Sequence, residues 1–90
     1  MEFEWDNKKA KVNAKKHRIT FQEAATVLGD PLAITFHDPD HSINENRYIT
    51  FGLSRFNRLL VISHTERKNK IRIISARQMT KRERKIYEEN

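Results

Sequence analysis

Two places in the chain combine residue types that handle phosphate chemistry. The first is "HTERKNKIRIISAR", residues 64–77, where Glu66 and Arg67 close one β-branched run and Arg72 and Arg77 lie on the next. A carboxylate can serve as general base. An arginine stays charged and offers a planar fork that bonds two phosphate oxygens at once. The second is "KKH", residues 15–17, where Lys16 is a point charge and His17 a group able to act as acid or base near neutral pH. Lys81 follows Arg77 at the start of a terminal helix, and a helix N-terminus adds positive potential of its own. An arginine placed there calls for an anion, either a ligand phosphate or a neighbouring carboxylate. An ordinary cross-hairpin ion pair also accounts for Glu66, and helix capping also accounts for His17.

Other patterns are weaker. "HDPDH" (37–41) gathers His37, Asp38, Asp40 and His41, but Asp-Pro forms turns and nothing supplies an apolar shell, so no metal is assigned. There is no glycine-rich phosphate loop and no Ser/His/Asp arrangement, and no cofactor is expected. Trp5, Phe21, Phe36 and Phe51 read as core, whereas Phe56, in the polar turn "SRFNR", reads as exposed.

The elements that must hold these residues follow from local signals. Phe3 and Trp5 alternate with Glu2 and Glu4, as in a short edge strand. Asp6 can cap a weakly apolar helix near 6–16 that shows its basic surface. Thr20 and Glu23 predict a capping box for a helix over 21–28, ended by Gly29. Strands follow at 32–36 and 47–54, then a hairpin 58–67/70–77. Thr80 and Glu83 predict a second capping box for a helix over 80–88. On the last strand, period-two counting puts Ile71, Ile73, Ser75 and Arg77 on one face. The class is α+β: an antiparallel sheet of four to five strands, with two N-terminal helices and one C-terminal helix packed on one side.

Ninety residues make one domain, 1–90, with a thin core that a partner would help. The absence of cysteine excludes disulfides, thiolate metal sites and a cysteine nucleophile. No stretch is long and apolar enough to cross a bilayer, and a cytoplasmic location without membrane association is expected. The net charge of +6 favours a polyanionic partner.

Taken together, "FEWD", the "KxxxNxxKH" spacing, "TFQEAATVLGDP", "ER" ahead of "IRIISAR", and "TKRERKIYE" resemble the BrnT family of type II toxins from Phe3 to Glu88. The resemblance implies a RelE-like fold and a metal-independent ribonuclease that halts growth. It implies a BrnA-like partner, an antitoxin with a ribbon-helix-helix part, and repression of operator DNA by the complex. It carries over Lys16, His17, Glu66, Arg67 and Arg77, with His17, Glu66, Arg67 and Arg77 as catalytic and Lys16 holding substrate; Arg72 and Lys81, cations of the same rim, are added as substrate-holding from their charge and place. The attack would come from the RNA 2′-hydroxyl, leaving a 2′,3′-cyclic phosphate and a 5′-hydroxyl. One departure is local: many relatives carry glycine after the "KH" pair, where this chain has Arg18. Two other classes fit the same cations: a non-catalytic nucleic-acid-binding module, which does not need Glu66, and a structural domain that pairs with an acidic protein.

Overall fold

The computed structural model describes residues 2–90. After a three-residue strand, β1 (Glu2–Glu4), Asp6 caps α1 (Asn7–His17) by accepting from the backbone N–H groups of Lys8 and Lys9. Those bonds hold the Asp6 carboxyl below its usual range. Only Asn13 of α1 is buried. The helix ends at Arg18, which stands in the left-handed region at φ 60°. Thr20 caps α2 (Phe21–Val27) through the Glu23 N–H at 3.1 Å. The expected box is only half formed. The buried Glu23 carboxylate turns instead to the Ser54 hydroxyl at 2.7 Å and the Arg58 guanidinium, which also donates to the Arg18 carbonyl. A buried acid gains more from a charged, bidentate partner than from one backbone N–H. Strands β2 (Ile34–His37), β3 (Arg47–Leu53), β4 (Leu59–Arg67) and β5 (Lys70–Gln78) follow, then α3 (Lys81–Glu89).

The sheet order is β1-β5-β4-β3-β2, so the expected hairpin lies at its middle. The sheet is mixed and not purely antiparallel, because β1 runs parallel to β5, with Phe3 beside Ile71. The hairpin partner β4 occupies one edge of β5, so β1 takes the other, in the direction that carries α1 along β5 toward Ala76. There Asn13 continues the edge without a strand. Its side-chain amide donates to the Ala76 carbonyl at 2.9 Å, and its Oδ1 accepts from the Ala76 N–H at 3.0 Å.

A β-bulge corrects the facing of β5. Ser63 pairs with Ser75 but His64 pairs with Ile73, leaving Ile74 as the extra residue. Ile71, Ile73 and Ala76 therefore share a face with Leu60 and Ile62, while Ser75 and Arg77 turn to the other. On the first face α1 and α2 cover a core of Ile19, Phe21, Ala24, Val27, Leu60, Ile62, Ile73 and Ala76. Each large side chain buried this way contributes about 1.5–3 kcal/mol. The contact with α2 is close: a Cβ on Gly52 would come within 2.8 Å of Val27.

The helices do not all lie on one side. Tyr87 of α3 packs with Phe51, Val61 and Met79 on the opposite face, and its hydroxyl donates to Asp30 at 2.6 Å. The apolar surface of Phe51 and Val61 has to be covered from that side. Phe36 is not core: it is 42% exposed and meets Phe51 edge-on. Phe56 is exposed, with Arg55 over its ring.

Candidate active site

The seven residues singled out above fall at three places. The first is a groove of about 330 Å³ along the edge of β5, where α1 has drawn alongside. Lys8, Lys9, Lys16 and His17 line it on the helix side, over Ile74 and Ser75 of the bulge. One turn separates Lys9, Asn13 and Lys16–His17, so fixing Asn13 to Ala76 presents the cations of α1 to the strand. Arg77 lies two residues beyond Ser75 on the same face, about 7 Å along the strand. Without the bulge it would point into the core side; the extra residue aims it at the face that carries α3. The structure thus brings Lys16, His17 and Arg77 to one end of β5, together with Ser75, Lys8 and Lys9.

Arg77 is already partnered. Its two terminal nitrogens reach Glu83 Oε1 at 2.7 Å and Oε2 at 2.8 Å, and one also reaches the Gln78 carbonyl. Of the anions the sequence allows, the carboxylate is therefore present. Arginine has five N–H donors. The pair and the carbonyl engage three of them, and Nε and one terminal N–H keep their capacity. Glu83 also closes the capping box of α3, accepting from the Thr80 N–H at 2.9 Å. The Arg77 guanidinium holds the Glu83 carboxyl down to about 2. Lys81 begins the same helix and is exposed.

The second place is the open face near the β4–β5 turn. Arg72 pairs with Glu4 at 2.8 Å, and Arg67 with Glu45 at 3.1 Å. Arg77 stands opposite Val61, six residues from Arg67 along β4, or roughly 20 Å. Arg67 and Arg77 cannot grip one phosphate; they can only address separate ones. The third place is on the other side of the sheet. Glu66 stands opposite Ile71, on the face of His64, and makes no ion pair among the described residues. It is not beside the arginines expected to accompany it, because neighbouring strand residues point to opposite faces.

In the "HDPDH" loop, His41 pairs with Asp38 at 2.9 Å and His37 with Asn46 at 3.3 Å. Sequence reasoning gave no role to Ser75 or Asn13. The asparagine was visible inside the "KxxxNxxKH" spacing, but its partner is 63 residues away and has no local signal.

The comparisons bear on this arrangement. The family model described as "Ribonuclease toxin, BrnT, of type II toxin-antitoxin system" matches residues 5–83. The chain belongs to the BrnT family. The match takes in α1, the bulge, Arg77 and Glu83, so the whole β5-edge groove lies inside the family's extent. The family is one of ribonuclease toxins, which sets RNA as the substrate and an antitoxin as the partner at that level. Among solved structures, the 1.1 Å crystal structure of the Brucella abortus ribonuclease toxin BrnT is similar, with a TM-score of 0.69 and 19% identity. It aligns over 90% of this chain and 99% of that one, and it supports the α+β fold. No curated protein matches the chain.

Proposed function

We propose that this chain cleaves RNA without a metal, at the α1–β5 edge. The observation that carries the reading is the grouping of Lys16, His17 and Ser75 in one groove, with Arg77 beside it. RNA brings its own nucleophile, the 2′-hydroxyl. The protein has three tasks: to take that proton, to stabilise charge on the phosphorane, and to return a proton to the leaving 5′-oxygen. His17 is the group in the groove suited to moving protons. Lys16 and the free donors of Arg77 are fixed charges aimed at the phosphorane. Glu83 orients the guanidinium, and Lys8, Lys9 and Lys81 hold flanking phosphates. Arg67 and Arg72 meet the RNA farther along the open face. Glu66 has no place in this grouping.

The partner in this reading is a BrnA-like ribbon-helix-helix antitoxin, which inhibits by covering Arg77 or the approach to it. The complex binds operator DNA through the antitoxin, and the work is done in the cytoplasm. The deciding experiment incubates purified protein with RNA in EDTA and identifies the ends. Cyclic phosphate and 5′-hydroxyl ends that vanish with His17→Ala and Arg77→Ala are expected. Activity restored only by a divalent ion, or unchanged in both variants, would sink the reading.

A further inference from the structure

On the face that carries α1 and α2, the helices stop short of the far end of the sheet. A recess of about 320 Å³ is left there, lined by Leu28, Thr35, Tyr48, His64, Glu66 and Ile71. That volume is at the lower end of small-molecule sites, which run from about 300 to 1,000 Å³. Its wall is aromatic: Tyr48 stacks on His64 at 5.9 Å and meets His37 edge-on at 5.7 Å.

His64 is 6% exposed. Its Nε2 lies 2.7 Å from the Thr50 hydroxyl, which lies 2.7 Å from the Thr35 hydroxyl. The two hydroxyl protons can run along this chain in either direction. One direction makes His64 Nδ1 an N–H donor and the other makes it an acceptor. Either way Nδ1 is buried with no partner in the protein, and a buried polar group left unbonded costs about 1–3 kcal/mol. Burial also pushes the imidazole below its ordinary pKa, against the pull of Glu66, so the neutral ring with its reversible Nδ1 is favoured. The polar group at the mouth is Glu66, unpaired and able only to accept when ionised.

We infer that this recess holds one unstacked nucleobase of the RNA, its hydrogen-bonding edge read by Glu66 and its ring packed against Tyr48 beside His64. Single-stranded RNA is recognised in this way, by bases splayed onto aromatic rings and bonded along their edges. A carboxylate accepts from amino groups. Adenine, cytosine and guanine present one; uracil presents a single N–H between two carbonyl oxygens that repel the carboxylate. The recess therefore selects amino-bearing bases against uracil.

The inference rests on RNA being the substrate, and its test separates the two. AMP, CMP, GMP and UMP are titrated into the full chain while the His64 Cε1–H signal is followed by NMR. In parallel, oligonucleotides that vary one base at a time around the cut are cleaved. Saturable shifts of His64 with AMP, CMP or GMP, and binding of UMP weaker by about tenfold, are expected. Glu66→Gln, an exposed and isosteric change, supplies both a donor and an acceptor and should erase the discrimination against uracil in both assays. Cleavage without base preference and with an unmoved His64 signal overturns the recess and leaves the ribonuclease standing. Base-selective shifts of His64 without any cleavage support the recess and overturn the ribonuclease. Discrimination that survives Glu66→Gln overturns the role given to the carboxylate.

Discussion

In the proposed reading Arg77 carries two duties at once, and both are measurable. Its fork is bonded to Glu83, which leaves Nε and one terminal N–H for a ligand. Arg77→Ala should lower cleavage by about a hundredfold, the usual loss for a transition-state donor. It should also lower the melting temperature, since Glu83 loses its partner. A drop in melting temperature with full activity per folded molecule would leave only the structural duty. The acid limb follows from the same pair. Glu83 is depressed to about 2 from 4.5, so its contribution is present above pH 4.5 and is lost as pH falls from there toward 2. An acid-unfolding profile should show this loss in the wild type and not in Glu83→Gln. Arg18 offers a simpler test. A non-glycine residue in the left-handed region costs about 1–2 kcal/mol, so Arg18→Gly should stabilise by about 1 kcal/mol. In a domain this small that raises the melting temperature by roughly 4–8 °C. An unchanged or lower value would show that the arginine side chain offsets its backbone strain.

Among the elements, α1 and α3 are held by few bonds, each identifiable. Asn13→Ala leaves the backbone of Ala76 and the Ile19 carbonyl without partners, and should cost about 1–3 kcal/mol. Hydrogen exchange should accelerate at Ala76 first; exchange there as slow as in the wild type would mean that α1 is held by something else. The hydroxyl of Tyr87 on α3 bonds to Asp30, and that bond, aided by burial, pushes the phenol up to about 12. A raised acid favours its neutral form in the fold, so this docking contributes fully below pH 10 and weakens from pH 10 to 12. Alkaline unfolding of Tyr87→Phe should lose that dependence; an identical limb in the variant would refute it. These attachments mark where sequence reading stops. Caps and alternation identify α1 to α3 and β1 to β5, though not the 3-10 turn at Pro39–His41, because Asp6, Thr20, Thr80 and the β-branched runs act locally. The direction of β1, the bulge at Ile74 and the side taken by α3 depend on partners far along the chain. The bulge has no glycine to announce it, yet it decides which way Arg77 points. His17 and Arg77 were legible as reactive types; their meeting at one end of β5, and the separation of Glu66 from them, were not.

At the level of the whole molecule, a net charge of +6 favours a polyanion, and the proposed reading puts RNA at the β5 edge. Removing Lys8, Lys9 and Lys16 together should flatten the dependence of log K on log salt by roughly 2, at about 0.7 for each single-strand phosphate that is no longer neutralised. A slope equal to that of the wild type would place RNA on another surface. The bond between Asn13 and Ala76 has one more consequence, which concerns timing. These partners are 63 residues apart, and at roughly 5–20 residues per second a ribosome needs about 3–13 s to make the second after the first. Through that interval the nascent chain carries the cations of α1 but has neither β5 nor Arg77 to set them against. The groove is thus among the last features to form, and in the proposed reading the nascent chain lacks its cleavage site for most of its own synthesis.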